Sequence, residues 1–163
     1  MWDPVAARAD PALFGTMADA SPDLFFYKDS GLVYRYVNRA FCELFGIEPS
    51  DILGRVDAGA FPQPSARRHR QADLAVLASR RSQTFEYVVE RDDRSVWLQV
   101  LKTPVLGADG TVVGIFCVAR NITAIKTAED QSRRAVAVLE RDAVDREEEL
   151  RRTNDELRRQ AAE

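Results

Sequence analysis

The chain has 163 residues, of which 45% are hydrophobic and 30% charged, and a formal net charge of −3. That is one ordinary domain with chain to spare and enough apolar residues for a packed core, and its charge offers no basic field for nucleic acid or an anionic membrane. Its two cysteines, Cys42 and Cys117, are too few for a disulfide scaffold and fit a reducing cytoplasm.

Three parts follow in chain order. Residues 1–21 predict a short N-terminal helical cap. Asp10 is placed to cap it, and Pro11 stands where a first helical residue tolerates proline. Leu13, Phe14 and Met17 give one apolar stripe. Ser21-Pro22 ends it, because the residue before proline resists the helical region.

Residues 22–123 predict a mixed core. "DLFFYKD" and "VYRYVN" read as two strands joined by a turn at Asp29-Ser30-Gly31. "RAFCELFG" reads as a helix stopped by Gly46, and "PSDILG" as a further helical turn. "PSARRHRQADLAVLASRR" reads as a longer helix. The period then changes to alternation, giving strands "QTFEYVVER", "SVWLQVLKTPV" and "TVVGIFCVARN" with turns at Asp92-Asp93 and Asp109-Gly110. Adjacent hairpins imply an antiparallel sheet with helices gathered on one face, an α+β fold. The last two strands are apolar on both faces: Val96, Leu98 and Val100 alternate with Trp97 and Leu101, and Val113, Ile115, Cys117 and Ala119 with Phe116 and Val118. The second face therefore needs a cover, either the stripe of Leu13, Phe14 and Met17 or a partner chain.

Residues 124–163 hold nine Lys or Arg and eleven Asp or Glu, with neither glycine nor proline. Apolar residues fall at multiples of seven residues, Ile122, Val136, Ala143, Leu150 and Leu157, and Ile125 and Leu139 add positions offset by three. The second core position is weak, because Arg146, Thr153 and Gln160 fall there; another register pairs Leu150 and Leu157 with Asn154. A lone helix of this length has no packing face to hold it in water, so a paired, coiled-coil helix is expected.

Residues 22 to about 126 resemble a PAS sensor domain. The resemblance rests on "SPDLFFYKDSGLVYRYVNRAFCELFGIEPSDILGR", "FPQP", "VWLQVLKTPV" and "ADGTVVGIFCVARNIT". It implies a five-stranded antiparallel sheet with helices over one face, a small cavity between them, frequent dimerisation, and a signal passed into a C-terminal helix. The family usually closes on Asp-Ile-Thr. Here Asn121, Ile122 and Thr123 stand in those places as the expected signal relay, and Thr123 is a candidate cap for the helix after it. The family fold and the alternation together nominate cavity residues: Phe41, Leu44, Phe45, Ile52, Leu53, Leu74, Leu77, Leu98, Val100, Ile115, Cys117 and Ala119. That lining favours a small apolar ligand. Val136, Leu139, Ala143, Leu150 and Leu157 are the expected dimer seam.

Few residues suggest chemistry of their own. His69 is the only histidine; a histidine on the long helix binds haem iron in some PAS domains, but "ARRHRQ" reads as a solvated basic face. Flavin-binding relatives use the cysteine of Asn-Cys-Arg-Phe-Leu, and the matching "VDAGAFPQ" has none. Haem and flavin are therefore not expected, and Cys42 and Cys117 read as small core hydrophobes. No phosphate loop, nucleophile elbow, dinucleotide fingerprint or zinc spacing is present in the sequence, so no enzyme and no metal site is expected. The start of the chain lacks a signal-peptide layout. The apolar stretch Val112 to Ala119 is too short to cross a bilayer.

The expected function is a cytoplasmic sensor of a two-component or similar bacterial signalling protein. It would detect a small ligand or redox cue and relay it, as a homodimer, to an output domain of histidine kinase or diguanylate cyclase type. A ligand-free dimerisation and relay module is the alternative.

Overall fold

The computed structural model describes residues 11–91 and 93–161. Among them the elements run α1 (Pro11–Ala20), β1 (Leu24–Asp29), β2 (Tyr34–Val37), α2 (Arg39–Phe45), α3 (Pro49–Ile52), α4 (Asp57–Ala60), α5 (Gln63–Ser79), β3 (Gln83–Arg91), β4 (Arg94–Leu106), β5 (Val112–Asn121) and α6 (Thr123–Gln160). They form two units, a core ending at Ile122 and a helix from Thr123. Asp10, expected as the cap of α1, lies outside the described residues.

The sheet of the core is antiparallel throughout, in the order β2-β1-β5-β4-β3. The last strand thus lies between the first and the fourth, with Phe26 opposite Cys117 and Val100 opposite Ala119. Local chemistry sets the joints. The Asp29 carboxylate accepts from the amides of Gly31 (2.9 Å) and Val33 (3.1 Å), closing the β1–β2 turn, with Leu32 at φ 62°. Asn38 caps α2 by accepting from Phe41 N at 3.2 Å, and Gly46 ends that helix at φ 63°. The same Asn38 oxygen accepts from Phe25 N, and its amide donates to the carbonyls of Ala18 and Asp23. One buried side chain therefore fastens α1, β1 and α2 together. Gly114 marks a close approach: a Cβ there would lie 2.3 Å from the Lys28 carbonyl oxygen and 2.5 Å from the Tyr27 hydroxyl.

Helices α2 to α5 cover the inner face of the sheet. Leu24, Phe26, Tyr34, Phe41, Ile52, Val76, Leu98, Val100, Ile115 and Cys117 make one buried cluster between the layers. The outer face is only partly covered. Phe14 of α1 packs its ring 5.4 Å from Tyr36 and 6.4 Å from Phe116. Leu13 and Met17, expected to share that task, remain 50% and 63% exposed. The reason is reach: ten helical residues span about 15 Å and touch β2 and β5, while Leu101 on β4 and Val88 on β3 stay exposed.

The fourth helix was not foreseen: α4 has four residues, with no hydrophobic periodicity to announce it. No helix among the described residues is long and apolar enough to cross a membrane.

Candidate functional site: a buried charge cluster beside a small cavity

Strand alternation aims two lysines into the core. On β1 the buried positions are Leu24, Phe26 and Lys28; on β4 they are Leu98, Val100 and Lys102. Both lysines are 1% exposed. Opposite them, α5 turns Asp73 inward beside Val76, and the short α4 presents Asp57.

Lys28 Nζ donates to Oδ1 and Oδ2 of Asp57 and to Oδ2 of Asp73, each at 2.7 Å. Lys102 Nζ pairs with Oδ1 of Asp73. The Tyr34 hydroxyl donates to Asp57 Oδ1 at 2.8 Å, and Lys28 Nζ lies 4.5 Å from the centre of the Tyr34 ring. Two lysines and two aspartates thus form a cluster of zero formal net charge. Such balance is what makes burial tolerable, since an unpaired buried charge is strongly destabilising. Burial, joined by the neighbouring Asp57, holds the Tyr34 phenol well above its ordinary range.

A cavity of about 30 Å³ adjoins the cluster. Lys28, Lys102, Tyr34, Phe61, His69 and Tyr87 are among its walls, with Phe26, Phe41, Phe45, Leu98, Val100 and Ala119. The ring of His69 lies 4.3 Å from that of Tyr87 and 6.3 Å from that of Phe61. Its pKa is lowered to about 4, chiefly by burial and next by the Lys102 charge. Burial likewise pushes the Tyr87 phenol and the Cys117 thiol up to about 12.

Of the nominated cavity residues, Phe41, Phe45, Leu98, Val100 and Ala119 line the cavity. Ile52, Ile115 and Cys117 are buried in the core cluster beside it, and Leu44 and Leu77 pack on its margin. Leu53 and Leu74 do not belong: they are 40% and 46% exposed. Leu53 follows the last residue of α3 and turns out of the layer. Leu74 falls one residue past Asp73, which takes the inward position on α5. His69, expected on a solvated face, is instead a wall of the cavity, because His69, Asp73 and Val76 follow one helical stripe. The lining is also not purely apolar. Lys28, Lys102, Asp57 and Asp73 escaped nomination, although parity already put Lys28 with Leu24 and Phe26, and Lys102 with Leu98 and Val100.

At the end of the core, Ile122 is 5% exposed and its amide donates to the Trp97 carbonyl at 2.8 Å. Asn121 closes β5 opposite Leu98. Thr123 is already helical, the first residue of α6, rather than the cap before it; its carbonyl accepts from Thr127 Oγ1 at 2.9 Å. Along α6, Val136, Leu139, Leu150 and Leu157 are 50%, 66%, 71% and 60% exposed, and Ala143 is exposed too.

Comparison with known proteins agrees with this architecture. The model of the PAS fold family matches residues 18–127. The methanogenesis regulatory histidine kinase FilI of Methanothrix harundinacea is 32% identical over 115 residues, 71% of this chain but only 13% of that protein. The PAS domain of Bordetella pertussis BvgS superposes with a TM-score of 0.60 at 18% identity, covering 75% of this chain and 96% of the other. A phage VqmA in complex with DPO gives a TM-score of 0.60 at 25% identity, covering 78% and 58%. A Vibrio cholera VqmA in complex with ligand and DNA gives 0.61 at 22%, covering 71% and 53%. With a family match over most of its core, and the five-stranded sheet and helical cover the fold requires, the chain belongs to the PAS family.

Proposed function

We propose that this PAS sensor domain regulates an output module by binding a small molecule in the cavity between sheet and helices. It relays the state of that cavity through Thr123–Gln160 as a parallel homodimer. The observation that carries the reading is the lysine–aspartate cluster beside the cavity, whose two lysines are among the cavity's walls. Two lysines and two aspartates are an expensive way to fill a core, and a few well-placed polar groups in an otherwise apolar pocket are the usual makings of a ligand site. The likeness to the regulatory histidine kinase FilI supports a kinase output over a cyclase. A thiol-based redox cue finds less support, since burial raises the pKa of both Cys42 and Cys117 and keeps them as unreactive thiols at neutral pH.

The test is native mass spectrometry of the purified protein with a visible absorption spectrum. A copurifying small mass, no colour, and a dimer by light scattering at micromolar concentration are expected. A Soret band that disappears in His69→Ala would overturn this and make haem the sensor. A second reading is a ligand-free relay module. It is favoured by the cavity volume of about 30 Å³, well below the roughly 300 Å³ at which drug-sized pockets begin. Adduct-free protein from every expression condition would select it.

A further inference from the structure

The cluster does not use all of its hydrogen-bonding capacity, and the lysine that keeps some in reserve lines the cavity. Lys28 has three carboxylate oxygens at 2.7 Å, one for each of its N–H groups. Lys102 has one carboxylate oxygen among the described residues, so two of its three N–H groups remain. Beyond that, among the described residues, Nζ has the ring faces of Tyr87 and Phe85, whose centres lie 5.7 and 5.8 Å away. The second unused group is the Tyr87 hydroxyl. Tyr87 is 5% exposed, and its hydroxyl is buried without a hydrogen-bond partner among the described residues. Such a group carries a desolvation cost unless something within the cavity meets it. Both side chains line the same cavity.

We propose that the cavity binds a small uncharged molecule through an oxygen that accepts hydrogen bonds from Lys102 Nζ and the Tyr87 hydroxyl. This rests on the sensor reading above and gives its ligand a chemical class. The oxygen must be an acceptor because Lys102 can only donate. The molecule must be uncharged because the cluster is already balanced, two lysines against two aspartates, and a further buried charge would have no counterion. The surroundings resist charge of either sign: burial raises the pKa of Tyr34, Tyr87 and Cys117 and lowers that of His69. The volume of about 30 Å³ has room for about two waters, so the molecule has few heavy atoms. Phe45, Phe61, His69 and Val89 are the half-buried parts of the wall and mark the side of access.

Three probes of one shape and different charge test this: formamide, formate and formamidinium. Each is titrated at millimolar concentrations into the full chain, with the side-chain NMR signals of Lys102 and Tyr87 as readout. Formamide is expected to shift both, at least tenfold more strongly than either ion at equal concentration. Tyr87→Phe should weaken formamide binding by about tenfold. Its unliganded fold should be at least as stable as wild type, because it loses only an unpartnered hydroxyl. Formate binding as well as formamide, or Tyr87→Phe leaving formamide binding unchanged, would overturn the proposal while leaving a ligand-binding sensor in place. If no probe moves either signal, this inference falls, and the ligand reading is then decided by the copurifying mass.

Discussion

Asp73 is the residue on which both buried lysines depend. One carboxylate oxygen serves Lys28 and the other serves Lys102, so Asp73→Asn leaves a cluster with excess positive charge and nowhere to send it. We expect a loss of about 3–5 kcal/mol, measured as a lower denaturant midpoint at unchanged slope. Replacing the whole cluster (Lys28→Met, Lys102→Met, Asp57→Leu, Asp73→Leu) should recover most of that loss, since matched apolar groups need no counterion. A fourfold variant no more stable than Asp73→Asn would refute the charge-balance account. His69 gives a prediction in pH. Its pKa falls from the ordinary 6.5 to about 4 in the fold, so between those values the unfolded chain takes up a proton that the folded chain refuses. Stability is therefore unaffected above pH 6.5 and declines as pH falls toward 4. Discounted for partial exposure, the decline is at most about 3 kcal/mol. His69→Gln should flatten that part of the curve relative to wild type; an identical slope in both proteins would refute it. These residues were legible in part. Parity along β1 and β4 gives away the lysines, and spacing along α5 gives away His69 and Asp73. That the four charges meet is a fact of tertiary packing between segments up to 74 residues apart, and no local pattern announces it.

Elements with a strong period were readable, and those without one were not. The strand Gln83–Arg91 matches its sequence reading end for end, because Phe85, Tyr87 and Val89 keep the two-residue period between turn residues. Helix α5 ends at Ser79, two residues early, where Arg80 adopts φ 55° and stops it. Helix α4 gave no signal in "VDAGAFPQ", yet it supplies Asp57. Helix α6 is the element on which the proposed relay rests. Its 38 residues amount to about 57 Å of helix, with the seven-spaced apolar side chains exposed along it. Helices of this kind gain stability by pairing. Truncation after Ile125 should therefore lower the dimer mass in light scattering and leave the thermal transition of the core cooperative. If the truncated chain stays dimeric at micromolar concentration, the seam lies elsewhere. Two glycines inserted after Thr123 should leave ligand binding intact and abolish switching of a fused reporter kinase, because they break the continuity between Asn121 and the helix. Normal switching in that variant would show that the short connection is only economical packing.

At the scale of the whole molecule, two hairpin-like ribbons, β1–β2 and β3–β4, are joined within the sheet only through β5, which pairs with β1 on one side and β4 on the other. The pairing of Leu24 with Ala119 and Phe26 with Cys117 joins the beginning of the core to its end. This has a consequence during synthesis. A nascent chain that has left the ribosome only as far as Leu106 has both ribbons and all the covering helices, but no strand to hold them together. The inner edges of β1 and β4 then stand open, each a template for a stray strand. Folding must wait for Val112–Asn121 to emerge, and closing so long a loop is slow. By then α6 is the next segment being made. The core closes just as the helix proposed to report on it comes into being, so an output module translated after that helix would first appear behind an already assembled core.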